Sequence, residues 1–229
     1  MDKVLFWDFN GTLAYNDWMF SKALYKVLVN NEPKTKISID NFKSIPMVGF
    51  PWQDYKMEYL CLTKRGAWWK NAEGIFIDCY KSIGLGNEKA VKYANEVREE
   101  LIKVDEFILY DDTIDTLSYF KERGYRNIIL SNHIPELPEI VEQLGLSLYL
   151  SGCISSANVG YEKPNPKIFY YALEKYNYPE EAWMIGDSVV ADIIGAKTVG
   201  MKSVLLRNNN IDSVEYYSTD LKGLKEIII

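Results

Sequence analysis

Short runs of apolar residues recur along the chain, each stopping at small or polar residues and each followed by a helical pattern. Val4-Leu5-Phe6-Trp7 stops at Asp8, and Asn127-Ile128-Ile129-Leu130 stops at Ser131. Trp183-Met184-Ile185 stops at Gly186-Asp187, while Ser203-Val204-Leu205-Leu206 runs into Arg207 and three asparagines. Runs that are apolar on both faces suit strands covered from both sides, as in a parallel sheet. Between them, Ile114, Leu117 and Phe120 share a helical face closed by Gly124, and Ile168, Phe169, Ala172 and Leu173 share another after Pro166. Strand alternating with helix predicts an α/β fold with right-handed crossovers: a Rossmann-like, three-layer core around a parallel sheet.

One stretch breaks the rhythm. From about Asn16 to Val104 the pattern is helical without a convincing strand. Trp18, Ala23, Leu24, Val27 and Leu28 make one amphipathic stripe, and Ala90, Tyr93, Ala94, Val97 and Leu101 make another, flanked by Lys and Glu. This predicts a mainly helical cap over residues 16–104, inserted into a core of residues 1–15 and 105–229. The crossings between the two would lie near Ala14–Asp17 and Asp105–Asp111.

A formal charge of -6 argues against a general nucleic-acid binder, which needs basic surface to displace counterions, but not against a small phosphorylated metabolite. Cys61, Cys79 and Cys153 are too few and too scattered for a disulfide framework or a zinc cluster, and suit reduced thiols. Asp2 and Lys3 leave no room for a cleavable apolar leader, and no apolar run approaches a membrane span. The expectation is a cytoplasmic chain with no membrane or nucleic-acid partner; oligomeric state is not legible.

Ligands of an open parallel sheet collect beyond the carboxyl ends of its strands. The residues there are Asp8-Phe9-Asn10-Gly11-Thr12, Ser131-Asn132-His133, and Gly186-Asp187-Ser188 with Asp192 beyond; Lys163 precedes Pro164-Asn165-Pro166. Several carboxylates together attract a hard divalent cation with oxygen preference, Mg²⁺ above all. Such a cation and one ammonium would offset the charge of an arriving phosphoryl group, leaving a carboxylate to attack it.

Asp-Phe-Asn-Gly-Thr-Leu, a strand ending in Leu-Ser-Asn, Lys-Pro-Asn-Pro and the Gly-Asp-Ser segment, in this order, resemble the four ordered motifs of the haloacid dehalogenase-like superfamily. The helical insertion resembles the C1-type cap of its phosphoglycolate phosphatase-like branch. The resemblance implies a Mg²⁺-dependent hydrolase of small phosphate monoesters working through an aspartyl-phosphate on Asp8. It implies Asp8, the backbone carbonyl of Asn10 and Asp187 as metal ligands, with Asp192 supporting them. Ser131 and the N–H of Asn132 would bind phosphoryl oxygens, and Lys163 would neutralise charge. Thr12 would anchor the first loop or cap a helix, and Asp17 and Ser188 are expected as helix caps.

The pattern departs at Asn10, where family phosphatases carry a second aspartate that protonates the leaving oxygen. An asparagine exchanges no proton near neutral pH. Asparagine is either the natural residue, or suits a leaving group that needs no proton, such as an acyl phosphate, or is a substitution that traps a complex. His133, the chain's one histidine, is the candidate replacement, set against a plain loop histidine. Asn10 also keeps alive a phosphomutase or phosphotransferase and a low-turnover module that binds Mg²⁺ and phosphate. Gly49-Phe50-Pro51-Trp52 is the candidate cap loop facing the substrate.

Overall fold

The four apolar runs become the central strands of one parallel sheet. The computed structural model describes residues 2–208 and 214–229, so Asn209 and Asn210 of the asparagine run lie outside the described residues. The sheet contains β1 (Lys3–Trp7), β4 (Tyr125–Ser131), β5 (Gly152–Ser155), β6 (Glu181–Gly186), β7 (Lys202–Leu206) and β8 (Tyr217–Ser218), in the order β5-β4-β1-β6-β7-β8. Every pairing in it is parallel. The remaining strands, β2 (Ala14–Tyr15) and β3 (Ile108–Leu109), form a separate antiparallel ribbon.

Alternation along β1 separates two cores, because successive side chains point to opposite faces. Leu5 and Trp7 pack with Leu117 and Phe120 of α5 (Thr113–Glu122) on one side. Val4 and Phe6 pack with Ile168 and Phe169 of α8 (Pro166–Lys175) on the other. Each of these four β1 residues is fully buried, a hydrophobic gain of about 1.5–3 kcal/mol per large apolar side chain. Asn127 is the polar exception inside: its carbonyl accepts the Trp7 indole N–H at 3.1 Å and its amide donates to the Leu117 and Tyr149 carbonyls. That satisfies a side chain whose unpaired burial would be costly.

The expected α/β core is therefore observed, with three departures. β5 and β8 were not legible because each is short and lies at or near a sheet edge, where little apolar run is needed. The ribbon of β2 and β3 binds the two chain crossings to each other, Ala14 opposite Leu109 and Tyr15 opposite Ile108. Trp18 does not join the first apolar stripe: it sits at the N-cap of α1 (Met19–Asn31) with φ 59° and is 57% exposed. It also displaces Asp17 from the expected capping position.

Between the crossings stand α1, α2 (Ile39–Lys43), α3 (Ala67–Ser82) and α4 (Asn87–Leu101), with α4 packed against both α1 and α3. Ala90, Tyr93, Ala94, Val97 and Leu101 are all buried, as the second stripe predicts. This helical block is fastened to the sheet side at several points. Glu136 accepts from the Trp69 indole at 2.9 Å and from Arg98 at 2.6 Å. Asn165 donates to the Tyr55 carbonyl at 2.9 Å, and the Tyr59 N–H to the Gly160 carbonyl at 2.8 Å. Among the described residues no helix is long and apolar enough to cross a membrane.

The segment leading into α8 carries a buried acid. Glu162 is 1% exposed and its Oε2 has no hydrogen-bond partner. Burial pushes its pKa up to about 7, against smaller opposing effects of a Ser156 hydrogen bond and the Lys163 charge. A carboxyl whose folded pKa is raised favours folding below its unfolded pKa of about 4.5, and that contribution is lost as pH rises through about 7. Glu162→Gln should therefore lose less stability than the parent between pH 5 and pH 8, by on the order of 3 kcal/mol at most. Urea unfolding at the two pH values tests this; equal losses in both proteins would contradict it.

Candidate active site

Asp8 follows β1 directly, and its N–H donates to the Ile185 carbonyl at 2.8 Å, which locks it beside the end of β6. The parallel register carries β4, β1 and β6 to the same edge, with Trp7 opposite both Ile129 and Ile185. Ser131, Asp8 and Asp187 are thus delivered to one rim by three neighbouring strands. Asp192 arrives from the π-helical segment Val189–Ile194, whose start is capped by Ser188 accepting from the Ala191 N–H. The expected cap at Ser188 is present. Thr12, by contrast, caps no helix: it lies in the turn between β1 and β2, fully buried, with its hydroxyl unpartnered.

Lys163 joins these strand ends. Its side chain is 1% exposed, and Nζ lies 2.8 Å from Asp8 Oδ1 and 2.5 Å from Asp192 Oδ1. Burial alone would push the ammonium's pKa down, but the Asp192 and Asp8 carboxylates override it and the net shift is upward. The lysine is held in place by Asn132, whose side-chain amide accepts the Lys163 N–H at 2.7 Å and donates to its carbonyl at 2.8 Å. The Asn132 side chain is therefore a backbone clamp, leaving its own N–H as the group the sequence assigns to a phosphoryl oxygen. The peptide bond from Lys163 to Pro164 is cis.

Asp8, Asp187 and Asp192 can each bring a carboxylate oxygen within 4.8 Å of the others. Burial raises Asp187 to about 6, with the Asp8 charge adding and Lys163 opposing. Burial likewise raises Asp192. Three carboxylates facing one ammonium leave negative charge uncompensated, and an all-oxygen donor set of this kind fits a hard divalent cation. Asp192 has little left to offer an ion, since its Oδ1 takes Lys163 and its Oδ2 takes the Ser188 N–H at 3.0 Å. Its geometry suits support from behind the ligands.

Two glycines make this crowding possible. Gly11 has φ 93°, and a Cβ there would lie 2.4 Å from Asp187 Oδ2. At Gly186 a Cβ would lie 2.1 Å from Asp192 Oδ2. The backbone can approach the carboxylates this closely only without a side chain. The need for glycine at these places is invisible until the carboxylates are positioned.

A cavity of about 790 Å³ opens over the lysine, between the strand ends and α1, α2 and the loop at Trp52. Asn10, Asn132, His133 and Lys163 reach it from the rim. Asn10 Oδ1 accepts the Asn16 N–H at 2.8 Å, which fixes the orientation of its amide. His133 is 4% exposed, edge-on to Phe9 and tilted against Phe107, with both ring nitrogens unpartnered. Burial lowers its pKa to about 4, with the Asp8 charge opposing, so the ring is neutral at pH 7. Asp111 and Asp112 lie apart from this cluster: Asp112 pairs with Arg207 at 2.8 Å and accepts the Leu221 N–H. Sequence reasoning passed over Asn16, which lines the cavity and whose Oδ1 is buried without a hydrogen-bond partner, because nothing in its neighbourhood marks it beyond a chain crossing.

The chain is 28% identical over 232 residues to the glyceraldehyde 3-phosphate phosphatase of Methanothermobacter thermautotrophicus, covering 100% of this chain and 96% of that protein. It is 31% identical over 134 residues to the phosphoserine phosphatase of Thermus thermophilus, a match spanning 58% of this chain and 53% of the relative. A HAD-hydrolase of Bacillus subtilis, solved bound to magnesium, superposes with a TM-score of 0.75 at 20% identity over 99% of this chain and 98% of its own. That likeness shows the shared fold. A model of the haloacid dehalogenase-like hydrolases matches residues 3–200, from the first residue of β1 to the turn before β7, and the chain belongs to that family.

Proposed function

We propose that this chain is a phosphatase of small phosphate monoesters that uses Asp8 as its nucleophile and requires Mg²⁺. The observation that carries this reading is the Lys163 ammonium, buried against the Asp8 carboxylate at the floor of the cavity with Asp187 and Asp192 alongside. The relatives named as phosphatases of glyceraldehyde 3-phosphate and phosphoserine support the reaction class. Residues 1–15 and 105–229 serve as the catalytic core and 16–104 as a C1-type cap; the ribbon of β2 and β3 at the two crossings supports that division.

Asp8, Asp187 and the Asn10 carbonyl would hold the Mg²⁺, which supplies charge neutralisation for the phosphoryl group when bound. Asp8 attacks phosphorus, the bond from phosphorus to the alcohol oxygen breaks, and an aspartyl-phosphate remains for water to resolve. Lys163 offsets the charge of nucleophile and phosphoryl oxygens together, and its burial makes that attraction stronger than in water. Ser131, at the end of β4, and the Asn132 N–H serve the phosphoryl oxygens. Thr12 fixes the turn that carries Asn10. His133, neutral at pH 7, serves as part of the wall rather than as the proton donor.

The leaving alcohol then lacks an internal acid, since Asn10 supplies none. The reading predicts phosphate release from a panel of monoesters with Mg²⁺, abolished by EDTA, and a rise in turnover in Asn10→Asp of about a hundredfold or more. No release by either protein on any ester would contradict the phosphatase reading. Transfer to an alcohol acceptor in place of water, measured as a new ester, would favour the phosphotransferase alternative.

Gly11→Ala tests the carboxylate arrangement separately. Its Cβ must displace Asp187, so the rise in melting temperature on adding Mg²⁺ should shrink and activity should fall at least tenfold. A parental response to Mg²⁺ in that variant would argue that Asp187 is no ligand.

A further inference from the structure

The cavity is much larger than the reacting group requires, and one side of it is aromatic. Its volume of about 790 Å³ lies within the roughly 300–1,000 Å³ typical of sites for drug-sized molecules. Phosphate on a three-carbon chain would leave most of that space and its apolar wall filled with water. The volume does not come from a helical block lifted off the sheet, because Tyr55, Tyr59, Trp69 and Arg98 all hydrogen-bond to the sheet side.

The aromatic wall is a supported stack. Phe50 and Trp52 lie nearly parallel at 10°, with ring centroids 4.5 Å apart, and Phe20 packs 4.6 Å from Phe50. Phe50 and Trp68 are buried and hold the stack from behind. Phe20 and Trp52 are the members that reach the cavity, opposite the rim that presents Lys163. Trp18 stands at the mouth, with the Lys43 ammonium 5.6 Å from its ring. Lys43 is already paired with Asp40, so it is not a lone cation waiting for a second anionic group.

Resting on the phosphatase reading, we propose that the alcohol half of the substrate is a flat aromatic or heteroaromatic body. It lies against Phe20 and Trp52, which line the cavity. Specificity then comes from stacking on this wall, with phosphate chemistry supplied by the core.

The test compares n-propyl and benzyl phosphate, whose leaving alcohols are of comparable acidity. Benzyl phosphate should exceed propyl phosphate in kcat/KM by about ten- to a hundredfold. Trp52→Ala should remove the benzyl advantage while leaving propyl phosphate within about threefold, and Trp52→Phe should restore it. Phe20→Leu offers the same comparison if Trp52→Ala fails to fold. Equal kcat/KM for propyl and benzyl phosphate, or an aromatic preference untouched by both wall variants, would overturn the proposal. Binding of benzylphosphonate against propylphosphonate, measured by calorimetry, decides the wall independently of turnover. Tighter benzylphosphonate binding with no hydrolysis of any ester would uphold the wall and sink the phosphatase reading; equal binding would overturn the proposal itself.

Discussion

A single buried ammonium organises the catalytic end of this protein. Lys163 Nζ bonds the carboxylates of Asp8, at the end of β1, and Asp192, in the π-helical segment after β6, which would repel one another without it. Removing either carboxylate would leave a buried charge short of a partner, and removing the lysine would leave the acids uncompensated, so the members are interdependent. The rest of the rim serves this arrangement. Asn132 fixes the lysine's backbone at two points, Ser188 orients Asp192, and glycines at 11 and 186 let the backbone come close enough. The parallel sheet supplies the common edge, with β1 between β4 and β6.

The acids still outnumber the ammonium. Burial, with the neighbouring Asp8 charge adding to it, drives Asp187 up to about 6. Such a site favours whatever brings positive charge to it. That is the physical reason the proposed site would hold a divalent cation, and it stands apart from any family likeness. Asn10 modifies this picture without dismantling it. Its side chain holds the Asn16 N–H and so shapes the loop, while the proton chemistry an aspartate would bring is missing. Burial lowers the pKa of His133, so its ring is neutral near pH 7.

The central sheet was legible because short runs apolar on both faces suit little besides strands covered from both sides, and the site was legible because its residues stand directly after those runs. Asp8, Ser131 and Asp187 needed only strand ends to be recognised. β5, β8 and the β2–β3 ribbon escaped because strands of two to four residues carry too little pattern. Trp18 misled the helix stripe: its spacing is helical, but its left-handed backbone at the N-cap turns it out toward solvent. The partner choices at Asn16 and Asn132 were unreadable for another reason. A hydrogen bond between residues 31 apart, such as that from Asn132 to Lys163, leaves no trace in local composition.

On the proposed reading, what the core does to a phosphoryl group follows from its charges, and what it accepts follows from the helical block over the cavity. These are separable questions, and the first is the central one. The most direct measurement is to mix the protein with a turned-over phosphate ester and Mg²⁺, quench in acid within milliseconds, and map phosphorylation by peptide mass spectrometry. Asp8 as nucleophile predicts one phosphoryl group on the Asp8 peptide, released by hydroxylamine and absent in Asp8→Asn. Turnover by the parent with no phosphorylated Asp8 peptide at any time, or undiminished turnover in Asp8→Asn, would contradict it.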